Sequence, residues 1–266
     1  MPRRLIYTIA FDTPNAPVHQ LMAKMLVSSI FRTGFDGDVL VFTNQESRVF
    51  EFGRKRLKEV RIDIDATADD FYYRSQTFKY HARHFFKASA YSEVIFIDVD
   101  CLCLQNPILL KADGADIRYA TEPFGKLADP GYNAYLTNKE KRTFARKDRH
   151  GINSGTFTVR GAIFDKVMKA WEKVDSEDPC CCERITGDQP AWVRVILDTK
   201  YAAVPYAEGS IRFPLWERTI GAEIDAAVLL HYCGAISSTK VSHLAGNYLR
   251  RFHLETLPSL LSFIDG

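Results

Sequence analysis

Four short apolar runs separated by helical patterns constrain the first hundred residues more than any other feature. "LIYTIA" (5–10) is β-branched and aromatic without alternation, as in a strand buried on both faces. "APVHQLMAKMLVSSIFRTG" follows, with Val18, Leu21, Met22, Met25, Leu26, Ile30 and Phe31 at helical spacing, Asn15 as its cap and Gly34 as its stop. "DVLVFTN" (38–44) predicts a second strand and "VRIDID" (60–65) a third, with a charged helical piece between them. Over 75–90, Phe78, Ala82, Phe85 and Phe86 predict a helix that feeds into "VIFI" (94–97). Such alternation predicts an α/β fold: a mainly parallel, twisted, doubly wound sheet with helices on both faces and ligands beyond the carboxyl ends of its strands.

Beyond residue 104 come "DIRYATEP" (116–123), a long polar and aromatic loop, and a strand over 154–161. A helix over 162–174 carries Phe164, Val167, Met168 and Trp171; another starts near "GDQPAW" (187–192), and "AAVLLHYCG" (226–234) predicts one more buried strand. No repeat or linker interrupts the chain. It reads as one domain over 1–266, with a nucleotide-binding half at about 1–104, a catalytic half at about 105–240 and a helical tail at about 241–266.

At 46% hydrophobic and 26% charged residues, the chain can bury one large core, and a net charge of +2 gives no global pull towards nucleic acid or membrane. Six cysteines, three of them consecutive at Cys180, Cys181 and Cys182, do not form a disulfide framework or a C-x-x-C zinc pair, which predicts a reducing, cytoplasmic setting. The N-terminal apolar run meets Asp12 too early for a signal peptide. No segment reaches the roughly 20 apolar residues of a membrane span.

"EVIFIDVDCLC" (93–103) sets two aspartates at the end of a buried strand. If the chain stays extended, Asp98 and Asp100 project the same way and Val99 the opposite way. Two converging carboxylates repel unless a cation lies between them, and a hard divalent ion with oxygen ligands fits. Three readings stand. The pair is a set of solvated loop acids; or Asp98 is the nucleophile and Asp100 the general acid of a magnesium-dependent phosphatase of the haloacid-dehalogenase type; or the D-x-D holds a metal on the diphosphate of a nucleotide sugar. The phosphatase motif normally opens its fold and continues with Thr or Val two places later, whereas here residues 1–97 precede it and Leu102 follows.

Three later motifs, "GINSGTFTV" (151–159), "GDQPAW" (187–192) and "LLHYCG" (229–234), follow the D-x-D in an order that resembles the glycogenin-like and bacterial galactosyltransferase group. That group is the retaining, GT-A glycosyltransferase family eight, and the resemblance spans about residues 5–240. It implies that Asp98, Asp100 and His231 hold manganese or magnesium, with Val99 between the two carboxylates beside the donor. It gives Asn153, Ser154 and Gly155 to the sugar's hydroxyls and close backbone approach, Asp188 and Gln189 to catalysis, and Gly234 to donor binding. Ala10 and Asp12 resemble positions at the nucleotide base and ribose, and Lys79 the basic residue that reaches the donor, with His81 or Arg83 in its stead. Where the family carries its diphosphate lysine this chain has Ser237, with Lys240 three residues later.

The implied reaction moves a hexose from UDP-glucose or UDP-galactose to an unknown acceptor, by front-side displacement with Gln189 supporting the sugar cation and Asp188 bonding to the sugar. A phosphatase and a catalytically silent nucleotide-sugar binder are the alternatives. Several features also have plainer readings: His231 as an ordinary core residue, residues 153–155 as a turn, and Gly187 and Asp188 as a helix cap with Pro190 in the first turn. The run at 138–150, six basic residues against two acidic, reads as a solvated face or a site for an acidic acceptor. Tyr72, Tyr73, Phe213 and Trp216 are candidates for stacking on an acceptor sugar. The basic and apolar tail at 248–266 reads as packed on the domain or, at most, as a peripheral membrane contact.

Overall fold

Leu5, Ile6 and Tyr7 stand opposite Val94, Ile95 and Phe96 in a parallel ladder, so two of the apolar runs meet as neighbouring strands. The computed structural model describes residues 3–12, 18–45, 56–65, 70–177, 187–215 and 222–233. Asn15, the piece at 46–55, Cys180–Cys182, Trp216, Gly234, Ser237, Lys240 and the tail from 241 lie outside them. In chain order the elements are β1 (Arg4–Ala10), α1 (Val18–Arg32), β2 (Asp38–Thr43), β3 (Leu57–Arg61), α2 (Phe71–His81), β4 (Glu93–Ile97), β5 (Cys101–Cys103) and β6 (Ile117–Lys126). There follow α3 (Asn138–Lys147), β7 (His150–Arg160), α4 (Phe164–Ser176), α5 (Gln189–Asp198), β8 (Ala203–Pro205), β9 (Ile211–Arg212) and β10 (Leu229–His231).

Seven strands form a mostly parallel sheet in the order β3-β2-β1-β4-β7-β6-β8, flanked by helices, and three form a small sheet in the order β5-β10-β9. A mixed α/β class is therefore as expected, with one departure: β7 runs antiparallel to both β4 and β6. Apolar periodicity reports burial, and β7 is buried along all but its end residues, but it carries no sign of strand direction.

Boundaries shift elsewhere. The helix expected over 75–90 is α2, which ends at His81 and gives way to single 3₁₀ turns at Ala82–His84 and Ala88–Ala90. The tighter turn keeps the Phe78 and Phe85 rings 5.6 Å apart, so the apolar spacing survives the change of helix type. The strand expected over 60–65 lies earlier, as β3, an edge strand with no buried residue. The strand expected over 226–234 shortens to Leu229–His231, and the one over 154–161 begins earlier, at His150.

The chain divides into two compact units. One comprises Met1–Tyr7, Thr67–Ile97 and Leu110–Ala207; the other comprises Thr8–Ala66, Asp98–Leu109 and Glu208–Gly266. Both draw on the stretch expected as a nucleotide-binding half. The first unit is built on rings: Phe157 lies 5.2 Å from Phe96 and 4.7 Å from Trp192, and Trp192 lies 4.5 Å from Trp171, all fully buried. In the second, α1 buries Leu21, Met22, Met25, Leu26 and Ile30 as its spacing predicts, and Ser29 Oγ accepts from the Cys103 amide at 3.1 Å, tying α1 to β5. Among the described residues no helix is long and apolar enough to cross a membrane.

The basic run at 138–150 is largely α3, a helix with no buried residue. A capping box between Thr137 and Glu140 starts it, and Arg194 of α5 donates to Glu140 at 2.9 Å. Hydrogen bonds from Arg194 and Thr137 hold the Glu140 carboxyl down at about 2, against an ordinary 4.5.

A Phe157→Ala substitution is expected to destabilise the protein by about 3–5 kcal/mol, from lost apolar transfer and the cavity left behind. Urea unfolding would register it as a lower midpoint with an unchanged slope. Because the Glu140 carboxyl titrates lower when folded, its contribution is present above pH 4.5 and is lost as the pH falls towards about 2. Glu140→Gln should therefore be less stable than the parent at pH 6, with the gap narrowing across that window.

Candidate functional site

In the second unit, Asp98, Asp100 and His231 come together. β4 ends at Ile97, and the next residues form a turn closed by the Cys101 amide donating to the Asp98 carbonyl at 3.2 Å. The chain then enters β5, which pairs antiparallel with β10 so that Cys101 faces His231. One step outside the ladder, the Tyr232 amide donates to the Asp100 carbonyl at 3.0 Å. The turn corrects the expectation of an extended chain at 98–100, and the two carboxylates reach the same imidazole by another route. His231 Nε2 lies 3.3 Å from Asp100 Oδ1 and 3.8 Å from Asp98 Oδ2.

His231 is 1% exposed, and neither of its ring nitrogens has a hydrogen-bond partner among the described residues. The Phe213 ring, 5.3 Å away, covers it. Asp100 is buried, Asp98 half-buried, and Val99 is buried between them. Two donors bound to a common ion at about 2.0–2.3 Å stand ~3–4.5 Å apart, a range that includes both distances. A buried imidazole without a hydrogen bond, next to two carboxylates, fits a divalent cation. Asp100, Cys101 and His231 each offer a ligand atom, and these atoms all lie within 4.8 Å of one another. Cys101 was not legible as part of this group, because a cysteine in an apolar strand reads as core.

Asp12 also lies in the second unit. Its carboxylate accepts from the amides of His19 at 2.7 Å and Gln20 at 3.1 Å, holding the first turn of α1. Asn44 pairs with the Asp12 main chain in both directions, at 3.0 and 2.8 Å. Ala10 is fully buried in β1.

The first unit holds a buried polar network. Lys79 of α2 lies 3.2 Å from Asp188 Oδ2 and donates to Ser154 Oγ at 3.3 Å and to the Ser154 carbonyl at 3.4 Å. Ser154 Oγ in turn donates to Asp188 Oδ1 at 3.2 Å. Gln189 Oε1 accepts from the Ser154 amide and from Asn153 Nδ2, both at 3.3 Å. Asn153 Oδ1 takes the Gly155 amide at 2.7 Å, and Asn153 Nδ2 also donates to Glu122, which accepts a further bond from the Tyr132 hydroxyl.

Local structure explains the arrangement. The β6–β7 register jumps from Tyr119↔Phe157 to Ala120↔Asn153, so Ser154, Gly155 and Thr156 bulge out of the ladder. Bulges of this kind re-aim side chains and are common beside functional sites. Gly151 and Gly125 leave room for the Tyr132 ring, which a Cβ on either would strike. Asp188 occupies the N-cap position of α5 with Pro190 in the first turn, as the plainer reading expects, but it makes no side-chain cap bond and its carboxylate turns to Lys79 and Ser154. His81 and Arg83, the alternatives to Lys79, both face Glu172, at 3.5 and 2.6 Å, and burial foremost lowers the His81 pKa. Glu122 and Tyr132 were missed; the signal available was a carboxylate at an inward position of the "DIRYATEP" strand. Tyr73 is bonded to Asp175 at 2.7 Å, and Tyr72 is exposed.

No protein-family model matches the sequence, and a search of curated proteins finds no match.

The Lys79–Asp188 pair is buried on both sides, so removing one partner strands the other's charge. Asp188→Leu or Lys79→Met alone should each cost about 3–5 kcal/mol, and the double variant clearly less than their sum. A double-mutant cycle by urea unfolding tests this; additive losses would mean that the two charges do not interact.

Proposed function

We propose that this chain is a metal-dependent glycosyltransferase with a GT-A fold, similar to the retaining enzymes of family eight. It moves a hexose from a nucleotide sugar, UDP-glucose or UDP-galactose, to an acceptor hydroxyl. The observation that carries the reading is the convergence of Asp98 and Asp100 on the buried imidazole of His231. These donors come from two distant parts of the chain, and together they would hold manganese or magnesium. A divalent cation held there supplies positive charge to a departing diphosphate, whose bridging oxygen gathers negative charge as the glycosidic bond breaks.

The protein's own groups have distinct tasks. The Tyr232–Asp100 backbone bond fixes the height of the Asp100 carboxylate beside His231. Lys79, expected to reach the donor, is paired with Asp188 and holds its carboxylate in place. Paired with Lys79 and Ser154, Asp188 is suited to accept a sugar hydroxyl rather than to attack carbon. Gln189 Oε1 already accepts two hydrogen bonds, which lowers its power as a nucleophile and leaves its NH₂ end as a donor. This supports retention by front-side displacement over a double displacement through Gln189.

Release of UDP from UDP-glucose or UDP-galactose on addition of manganese tests the reading. Wild-type protein should also gain about 2.7 kcal/mol of stability from UDP at a hundred times its dissociation constant with manganese present. Asp100→Asn should lose that gain. An unchanged response in the variant would remove Asp100 from the site. Turnover of p-nitrophenyl phosphate with magnesium, without UDP release, would replace the transferase by a phosphatase.

A further inference from the structure

We propose that Cys101 is a sulfur donor to the Asp100–His231 cluster, so that this site also takes a thiophilic divalent cation, zinc or cobalt, through one oxygen, one sulfur and one nitrogen. The inference shares Asp100 and His231 with the transferase reading and needs no nucleotide sugar.

The backbone sets the geometry. Cys101 and His231 are directly opposed in the antiparallel β5–β10 pair, and opposed residues send their side chains to the same face. Asp100 immediately precedes Cys101, and its carboxylate is turned to the same imidazole at 3.3 Å. The three ligand atoms lie within 4.8 Å of one another, and the residues are 8%, 0% and 1% exposed. A second observation points to a ligand: both nitrogens of the buried His231 ring lack a hydrogen bond among the described residues. A nitrogen lone pair withdrawn from water and left without a donor is costly unless an electrophile takes it.

Donor softness then selects the ion. Oxygen donors such as Asp98 and Asp100 suit manganese and magnesium, whereas a thiolate favours zinc and cobalt, whose binding displaces the thiol proton. Hard and soft ions would compete for the two shared ligands, and zinc would oppose manganese. Cys103 serves as the internal contrast. It faces Leu229 rather than a ligand.

The test is a cobalt titration of the full-length protein after chelator treatment, followed by near-ultraviolet absorption, where sulfur-to-cobalt charge transfer appears. One equivalent of cobalt should produce the band in wild-type protein and in Cys103→Ser. Cys101→Ser should lose it and bind cobalt at least ~10-fold more weakly. Cys101→Ala, with a melting curve recorded beside it, guards against a misfolded serine variant. Both Cys101 variants should retain manganese binding, measured by electron paramagnetic resonance. No band in the wild type, or a band that persists in both Cys101 variants, overturns the inference. Loss of manganese-dependent UDP release with the cobalt band intact would fall on the transferase reading alone.

Discussion

β7 is buried over nine of its eleven residues, and every polar group it carries has to be satisfied from within the protein. That requirement organises the first unit. Three residues into the strand, Asn153 and Ser154 bring an amide and a hydroxyl into the interior, and they are answered by Glu122, Gln189, Asp188 and Lys79. Two carboxylates and one ammonium share the network. Asp188 has the ammonium, while Glu122 is held by the Tyr132 hydroxyl and the Asn153 amide instead of a cation. A network of this kind is rigid because each member left unpaired would be expensive. Further along the same strand the polar groups give way to Phe157, around which the rings of Tyr7, Phe96, Trp171 and Trp192 gather.

Much of this was legible in the sequence. The continuous apolar runs at 5–10, 38–44 and 94–97 became buried strands, and the 3.6-residue spacing at 18–31 became the buried face of α1, because both patterns report burial directly. What the sequence could not carry was direction and local hydrogen bonding. Nothing in "SGTFTVRG" distinguishes a parallel from an antiparallel strand, and nothing in "FIDVDCLC" announces that the Cys101 amide folds back to Asp98. Asp12 and Asp188 show the same limit from two sides. The first, expected at a ligand, also holds the start of α1; the second, expected as catalyst or as cap, occupies the N-cap position of α5 with its carboxylate turned to Lys79.

The partners missed from the two clusters share one property. Cys101, Glu122 and Tyr132 each lie at an inward position of an apolar segment or loop, where residue type alone favours a core role. Their significance is pairwise: Cys101 matters because His231 is its cross-strand neighbour, and Glu122 because Asn153 enters from the next strand. Such relations become visible only once register is known.

The turn at 98–101 sets which side chains lie beside His231. Had the chain remained extended, Asp98 and Asp100 would have shared one face and Cys101 would have taken the other. Closing the turn starts β5 at Cys101, directly across from His231, while Asp98 and Asp100 still reach the imidazole. The turn thus accompanies a cluster that offers sulfur beside oxygen and nitrogen. On the proposed reading, the D-x-D spacing would supply the two carboxylates, and the residue after it, through the turn, would bear on which cations compete for them.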